Sequence, residues 1–240
     1  MTSTTSSEHG TLAGKWALVT GASRGVGRQI ALALSREGCN LVLHSRSQEH
    51  TERVEAEILA EGGMAVALEA RLEDASAVRE LARQAQEVSG GIDILYNNAG
   101  LMTAYHTQWL EAVPEEYERS FQVNVIAPIL LANALLPSML QRGWGRVVNV
   151  TSGIQDEPEL QAYACSKAAL DKYVLDTAPK LLGTGVTMNL LDPGWLRTDL
   201  GGPQAPGAVE SVLPGALVPV FATDGKSGVL TRAQEHVLSV

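Results

Sequence analysis

The sequence predicts an α/β protein built on one doubly wound parallel sheet of about seven strands, with helices on both faces. Apolar runs without polar alternation, typical of strands buried on both faces, alternate along the chain with segments of helical period. The length of 240 residues suits one large domain, and no linker, repeat or break in composition divides it. We therefore expect a disordered, Ser/Thr-rich tail over residues 1–13 and a single domain over 14–240.

Strands and helices alternate regularly through the first half of the chain. Apolar runs predict strands at residues 16–20, 40–44, 64–68 and 92–96. Segments with an apolar stripe of helical period predict the helices that connect these strands, at residues 26–37, 49–61 and 75–88.

The second half continues the alternation and then becomes rich in Pro and Gly. A long helical region is expected over 115–141, followed by a strand at 146–150, a helix at 162–182 and a strand at 186–191. The remainder predicts a substrate loop and last helix within about 195–225, with the helix near 208–221, and a weak final strand near residue 229.

Composition excludes several classes of protein. The net charge of −9 repels nucleic-acid backbones and anionic lipids. No window approaches the roughly 18 unbroken apolar residues of a membrane span. Cys39 and Cys165 lie far apart without Cys/His clustering, so we expect two buried free thiols and no metal site. The first residues contain no apolar or basic leader pattern, which favours a cytoplasmic location.

A glycine-rich turn, Thr20–Gly27, follows the first strand and runs into the first helix. Gly21, Gly25 and Gly27 permit positive φ and close approach of the backbone to a pyrophosphate, which would sit on the positive end of the helix. The spacing is G-x-x-x-G-x-G and differs from the generic dinucleotide pattern G-x-G-x-x-G. The turn alone predicts either a nucleotide site or a purely structural bend.

The end of the second strand indicates which dinucleotide would bind. An acid at this place accepts from a free ribose 2′-hydroxyl, whereas a basic residue accommodates a 2′-phosphate. The segment after the second strand holds Ser45 and Arg46 and no acid. Together with Arg24 in the glycine turn, Arg46 favours NADP(H) over NAD(H).

The chemistry is indicated by Tyr163 and Lys167, which lie at i and i+4 on one helical face, and by Ser152 after a buried strand. A phenol has an ordinary pKa of about 10, and a neighbouring ammonium would stabilise its phenolate. Tyr163 could then pass a proton to a substrate oxygen held by Ser152 while a nicotinamide passes hydride to carbon. A lysine packed over a tyrosine is the structural alternative for this pair.

Taken together and in order, these motifs closely resemble the classical short-chain dehydrogenase/reductase family over about residues 14–200. The resemblance includes the glycine turn, the Asn97–Gly100 segment, Asn124, the Tyr-x-x-x-Lys pair and the Pro193–Gly194 step. It implies a single-domain Rossmann fold and a carbonyl reductase or ketoreductase.

The resemblance also implies roles for individual residues. Tyr163 would be the acid/base, Ser152 would position the carbonyl oxygen, Lys167 would bind the nicotinamide ribose, and Asn124 would hold a relay water. Asn98 and Gly100 would support the adenosine side. The cofactor would contact Gly21, Ser23, Arg24, Gly25, Val26, Gly27, Ser45, Arg46, Leu72, Asn98, Ala99, Gly100, Tyr163, Lys167, Pro193, Gly194, Trp195 and Thr198.

The substrate pocket is expected to be mostly apolar. Its candidate lining residues are Leu101, Met102, Gly153, Ile154, Gln155 and Trp195. This mixture suits a ketone or aldehyde better than a phosphorylated sugar. The spacing of eleven residues between Ser152 and Tyr163 is two fewer than is usual in the family, so the loop between them must be tighter.

Three alternatives remain open at this point: a catalytically silent NADP-binding regulatory protein, a 3-oxoacyl thioester reductase, and a polyol dehydrogenase. Retention of Asn124, Ser152, Tyr163 and Lys167 argues against the silent regulatory protein. Lack of an evident basic surface run argues against an acidic carrier protein as the partner of the second. The resemblance implies a homodimer or homotetramer formed through the long helices.

Overall fold

A seven-stranded parallel sheet forms the centre of the computed structural model, which describes residues 12–236. Its strands are β1 (Trp16–Thr20), β2 (Asn40–Ser45), β3 (Ala65–Glu69), β4 (Ile94–Asn97), β5 (Gly145–Val150), β6 (Val186–Asp192) and β7 (Leu230–Arg232). Their order is β3-β2-β1-β4-β5-β6-β7, and all neighbours run parallel. The predicted fold class is confirmed.

Helices cover both faces of this sheet. They are α1 (Gly25–Arg36), α2 (Glu52–Ala60), α3 (Ala75–Ser89), α4 (Pro114–Phe121), α5 (Ala127–Arg142), α6 (Gln161–Thr177) and α7 (Val218–Phe221). Successive strand residues point to opposite faces. Leu18 and Val42 accordingly pack in the apolar cluster under α3 and α5, whereas Val19 and Leu43 pack in the cluster under α1 and α2.

The order of the strands reverses direction at β1. β1 pairs with β2 on one side and with β4 on the other, so the chain crosses over after β3 and continues outward in the opposite direction. In open α/β sheets, ligands bind in the crevice outside the carboxyl ends of the strands at such a switch point. The glycine turn follows β1, and the segment beginning at Asn98 follows β4, so both lie at this crevice.

The helix predicted over 115–141 is one rod with an interruption. α4 ends at Phe121, a π-helical turn spans Gln122–Ile126, and α5 begins at Ala127. A π turn carries one residue more than an α turn and changes which side chains face the sheet. Hydrophobic periodicity does not detect such an insertion, because the helix resumes at once.

Prolines shorten two other predicted helices. α6 ends at Thr177 and continues as a 3₁₀ turn, Ala178–Leu181, because Pro179 has no N–H to donate. The helix predicted near 208–221 is wrong. Two 3₁₀ turns, Val209–Val212 and Gly215–Leu217, and the single-turn α7 occupy this stretch, because Pro214 and Pro219 interrupt the backbone hydrogen bonding.

Two smaller expectations also change. The helix predicted from residue 49 begins at Glu52, after a 3₁₀ turn. Most of the tail predicted over 1–13 lies outside the described residues, but Leu12 is buried in the core. Cys39 is buried as expected, whereas Cys165 is exposed, because it follows the buried Tyr163 by two positions and faces away from the sheet.

By length and composition alone, the rod from Pro114 to Arg142 could cross a membrane. However, 56% of its most apolar window is buried inside the fold. Its apolar side packs with α3 in the core. A core helix passes the same test, so the finding is weak evidence for a membrane span.

Candidate active site

The glycine turn forms a tight bend between β1 and α1. Gly21 and Gly25 adopt φ values of +66° and +58°, which disfavour other residues. Gly27 is required for a different reason: a Cβ atom built there would lie 2.3 Å from the Gly21 carbonyl oxygen and 2.4 Å from Asn98 Nδ2. The first turn of α1 is therefore held directly against the end of β1.

Asn98 and Thr20 fasten this bend to the segment that follows β4. Asn98 Nδ2 donates to the carbonyl oxygens of Thr20 and Gly21, at 2.8 and 3.2 Å. The Thr20 hydroxyl accepts from the backbone N–H groups of Asn98 and Ala99, both at 3.0 Å. Asn98 thus lies behind the glycine turn and braces it.

His44 braces the turn from the β2 side. Its Nδ1 accepts from the Gly21 N–H at 3.4 Å, and its Nε2 lies 3.1 Å from the Ala70 carbonyl oxygen. Burial lowers the pKa of His44 to about 4, against the opposing effect of the Ala70 carbonyl. The imidazole is therefore neutral near pH 7, and its Nε2–H donates to Ala70.

The N-terminus of α1 can receive an anion. The N-cap residue Arg24 makes no side-chain cap, so no side chain caps the first N–H groups of the helix. Oriented N–H groups and the helix dipole at such an end favour a phosphate. The residues present therefore fit the pyrophosphate of a dinucleotide.

A short segment, residues 195–201, crosses the crevice above this helix end and is called the strap below. Arg24 pairs with Asp199, with Nη1 2.9 Å from Oδ2, and both side chains are exposed. A Cβ atom built at Gly25 would lie 3.4 Å from Thr198 Cγ2. The Thr198 hydroxyl accepts from the Gly201 N–H at 3.0 Å, which holds the strap in a turn.

The other predicted cofactor residues lie at the same edge of the sheet. Arg46 is exposed just after β2 and makes no ion pair or hydrogen bond within residues 12–236. Ser45 is buried and donates to the Ser47 carbonyl oxygen, whereas Leu72 is part of the core. Arg24 and Arg46 therefore differ, since only Arg46 is free of a carboxylate partner.

Asn124 lies on the π-helical turn and is almost fully buried. Its Oδ1 accepts from the Leu101 N–H at 2.8 Å, and its Nδ2 donates to the Leu101 carbonyl at 2.8 Å and to Ser166 Oγ at 2.9 Å. Asn124 thereby ties the segment after β4 to the middle of α6.

Lys167 lies in the interior of the site. Its ammonium donates to the Val150 carbonyl oxygen at 2.7 Å and lies 5.7 Å from the centre of the Tyr163 ring. Burial lowers the pKa of Lys167 to about 8, against the opposing effect of Asp171. A Cβ atom built at Gly100 would lie 3.7 Å from Asn124 Oδ1 and 3.8 Å from Lys167 Nζ, so these three residues border one bay.

Tyr163 lies next to Lys167 and beside the Ser152 hydroxyl. Burial raises the pKa of Tyr163, the Ser152 hydroxyl lowers it, and the Asp192 carboxylate raises it. Ser152 Oγ also accepts from the Ile154 N–H at 3.2 Å, which fixes the start of the following loop. The arrangement keeps the phenol protonated in the absence of ligands and places an alcohol beside it.

The loop between Ser152 and Tyr163 is compact. Gly153 lies over Asp192, because a Cβ atom built at Gly153 would lie 2.8 Å from Asp192 Oδ2. Asp156 adopts a φ of +58°, and a 3₁₀ turn, Pro158–Leu160, leads into α6. These turns carry the chain from Ser152 to the start of α6 at Gln161.

The predicted substrate residues belong to three segments around the mouth of the site. Leu101 and Met102 follow β4, and Ile154 and Gln155 belong to the compact loop. Trp195 is largely exposed after the Pro193–Gly194 step, and its Nε1 donates to the Gly201 carbonyl oxygen at 2.7 Å. Residues 12–236 contain no cluster of ligating side chains that could hold a metal ion.

Three further residues at this site were not predicted from the sequence. Asp192 accepts from the Gly194 N–H at 2.9 Å and faces Tyr163. Asp171 follows Lys167 by four positions, as Lys167 follows Tyr163, so the helical spacing alone could have indicated that Asp171 lies next to Lys167. Ser166, which accepts from Asn124, donates to the Tyr163 carbonyl oxygen at 2.7 Å.

Comparison with known proteins gives consistent matches. The model of the family described as short chain dehydrogenase matches residues 15–207. A short chain dehydrogenase of Pseudocercospora fijiensis is 37% identical over 199 residues, which are 81% of this chain and 63% of the relative. The chain thus spans less than two thirds of that relative. A 3-oxoacyl-[acyl-carrier-protein] reductase of Synechocystis is 35% identical, over 77% of this chain and 75% of the relative.

A solved structure is also closely similar. The crystal structure of a 3-oxoacyl (acyl-carrier-protein) reductase from Agrobacterium tumefaciens, with NADP bound, superposes with a TM-score of 0.84. It is 29% identical, and the match covers 92% of this chain and 93% of that one.

Proposed function

The chain belongs to the short-chain dehydrogenase family, and from this premise we propose that it is an NADP(H)-dependent oxidoreductase that reduces a ketone or aldehyde to an alcohol. The observation that carries the proposal is the convergence of Ser152, Tyr163 and Lys167 on one bay beside Gly100 and Asn124. These are the groups that such a reduction needs: a hydroxyl for the carbonyl oxygen, a proton donor and a cation.

The glycine turn supports a dinucleotide cofactor. Gly27 allows the first turn of α1 to approach β1, and the N–H groups at the start of α1 can meet a pyrophosphate. The bay bordered by Gly100, Asn124 and Lys167 would take the ribose, since no side chain projects into it from Gly100. Lys167 would hold this ribose through its ammonium hydrogens.

The proton comes from Tyr163. When bound, the reduced nicotinamide supplies hydride to the carbonyl carbon. Tyr163 donates its phenolic proton to the carbonyl oxygen, which Ser152 holds by a hydrogen bond. The C=O double bond becomes a C–O single bond, and the charge left on Tyr163 is stabilised by the ammonium of Lys167.

We propose NADP(H) in preference to NAD(H) because of Arg46. Its guanidinium is exposed at the end of β2 and makes no contact with a carboxylate in the described chain. Arg24 would contribute a second contact after release from Asp199. The NADP bound to the similar Agrobacterium reductase supports this preference.

The test is an initial-rate assay of NADPH and NADH oxidation with ketones, diketones, aldehydes, β-keto esters and sugars. Tyr163→Phe should lower turnover at least about 100-fold, because it removes only the acid. Tyr173→Phe is the matched control, since Tyr173 lies on the same helix and its hydroxyl approaches Asn133 at 3.5 Å, outside the site. NADPH binding without turnover of any carbonyl or polyol would favour the silent regulatory protein.

Reduction of a 3-oxoacyl thioester is the second candidate. The similarity to the 3-oxoacyl-[acyl-carrier-protein] reductases of Synechocystis and Agrobacterium favours it. The net charge of −9 disfavours docking of an acidic carrier protein. Adding acetoacetyl-coenzyme A to the panel separates the two candidates, because a thioester reductase would prefer it to simple ketones.

A further inference from the structure

The ammonium of Lys167 is buried, and burial disfavours a charged group. Only 5% of the residue is exposed, and its ammonium donates a hydrogen bond to the neutral carbonyl of Val150. Burial of an ammonium favours the neutral amine unless an opposite charge lies near. The proposed chemistry requires the charged form, so the fold must supply a counter-charge.

Asp171 is the carboxylate placed to do this. It lies on α6 one turn after Lys167, and residues at i and i+4 have Cβ atoms about 5–6 Å apart. Its Oδ1 is buried and makes no hydrogen bond within the part of the chain that the structure describes. Burial raises the pKa of Asp171, and the nearby Thr151 hydroxyl and Lys167 ammonium act against this rise.

We propose that Asp171 is a positioning residue that keeps Lys167 in its ammonium form and thereby keeps the site able to hold a nicotinamide ribose. The inference rests on the proposed function for the role of Lys167. The electrostatic pairing of Asp171 with Lys167, which acts without a direct ion pair, does not depend on that function. Asp171 lies one turn after Lys167 on α6, and in this proposal it acts through Lys167 and makes no contact with the cofactor.

The other titratable groups around Lys167 do not replace Asp171. Tyr163, on the preceding turn of α6, is neutral at pH 7, since burial raises its pKa. Asp192, at the end of β6, acts on Tyr163 and on Asp171 and is held by the Gly194 N–H. On the side of the π-helical turn, Asn124 is uncharged. Asp171 is the acid whose charge acts directly on Lys167.

The first experiment measures NADPH binding by fluorescence between pH 6.5 and 9.5. In the wild type, affinity should fall as Lys167 loses its proton, with a midpoint near its pKa of about 8. In Asp171→Asn the midpoint should move down by about one pH unit, a tenfold change in the proton affinity of Lys167. A merely structural role would lower affinity at every pH and leave the midpoint unchanged.

Asp176→Asn is the matched control. Asp176 lies on the same helix, is largely exposed and pairs with Lys172, so its substitution removes one carboxylate of α6 far from the bay. Its binding midpoint should equal that of the wild type. An equal shift in Asp171→Asn and Asp176→Asn would overturn the proposal, because the cause would then be general electrostatics.

A second measurement needs no cofactor. If Asp171 raises the proton affinity of Lys167, Asp171→Asn should unfold more readily than the wild type at pH 6.5, and the ratio of their unfolding constants should fall about tenfold by pH 9. A constant ratio would overturn the pairing. Failure of the wild type to bind NADPH, with the pH-dependent ratio present, would reject the proposed cofactor and leave the pairing in place.

Discussion

Replacing Lys167 with methionine is expected to change how the stability of the protein depends on pH. Burial lowers the pKa of Lys167 to about 8 from its usual 10.5. Between these values the unfolded chain binds a proton that the folded chain does not, so the contribution of Lys167 to stability rises with pH in this window. Below pH 8 the full penalty of a buried ammonium is present.

The size of the effect follows from the shift. A change from 10.5 to about 8 corresponds to roughly 3 kcal/mol at neutral pH, and about 2 kcal/mol of it should disappear between pH 7 and pH 9.5. Methionine fills a similar volume and does not titrate. Loss of the hydrogen bond to Val150 changes the stability of the variant by the same amount at every pH.

The assay is urea unfolding at pH 7, 8, 9 and 9.5, for the wild type and the variant. Relative to the wild type, Lys167→Met should be about 2 kcal/mol more favoured at pH 7 than at pH 9.5. Lys172→Met is the control, because Lys172 is exposed on the same helix, and its difference from the wild type should be flat. A flat difference for Lys167→Met as well would refute the reasoning.

Three further results are expected. Gly27→Ala should lower the free energy of unfolding, measured by urea unfolding, by about 2 kcal/mol or more, because the added Cβ would lie 2.3 Å from the Gly21 carbonyl oxygen. Gly100→Ala should have little effect, because the nearest atom to its Cβ would be 3.7 Å away. Asp199→Asn should lower the KM for NADPH two- to threefold and leave the KM for NADH unchanged, because the substitution frees the guanidinium of Arg24. An equal change of KM for both cofactors would contradict this. Between pH 7 and pH 4 the wild type should lose about 3 kcal/mol more stability than His44→Leu. The buried imidazole has a pKa of about 4, against 6.5 in the unfolded chain, so the unfolded chain takes up a proton while the folded chain stays neutral. Equal losses of stability in acid titrations of the two proteins would refute this.

The central strands could be predicted because they are buried on both faces and are mostly apolar. Val148 in β5 and Leu191 in β6, for example, belong to strands in which almost every residue is buried. The failures occurred where local chemistry overrides periodicity. Pro214 stops the helix expected near 208–221. The π-helical turn could not be located from the sequence, because the residues within and after it are largely apolar and blur the shift of the apolar stripe.

Site residues that lie on one helix could be predicted more easily than contacts between segments that are distant in the chain. Spacing on one helix placed Tyr163 beside Lys167, and the structure brings them together. The pairing of Arg24 with Asp199 depends on a contact between segments far apart in the chain, which no local pattern carries. The bracing role of Asn98 is hidden for the same reason, since its partners Thr20 and Gly21 belong to the first βα unit, far away in the chain.

The continuous rod of α4, the π-helical turn and α5 divides the surroundings of the site into a stiff side and a compliant side. The acidic α4 cannot tilt without displacing Leu131 and Leu135, which are locked in the core through α5. The opposite side consists of the loop after Ser152 and the strap around Thr198, which contain no long element. New substrate preferences would therefore arise more readily by exchanging these two segments, in evolution or in a library, than by altering the rod.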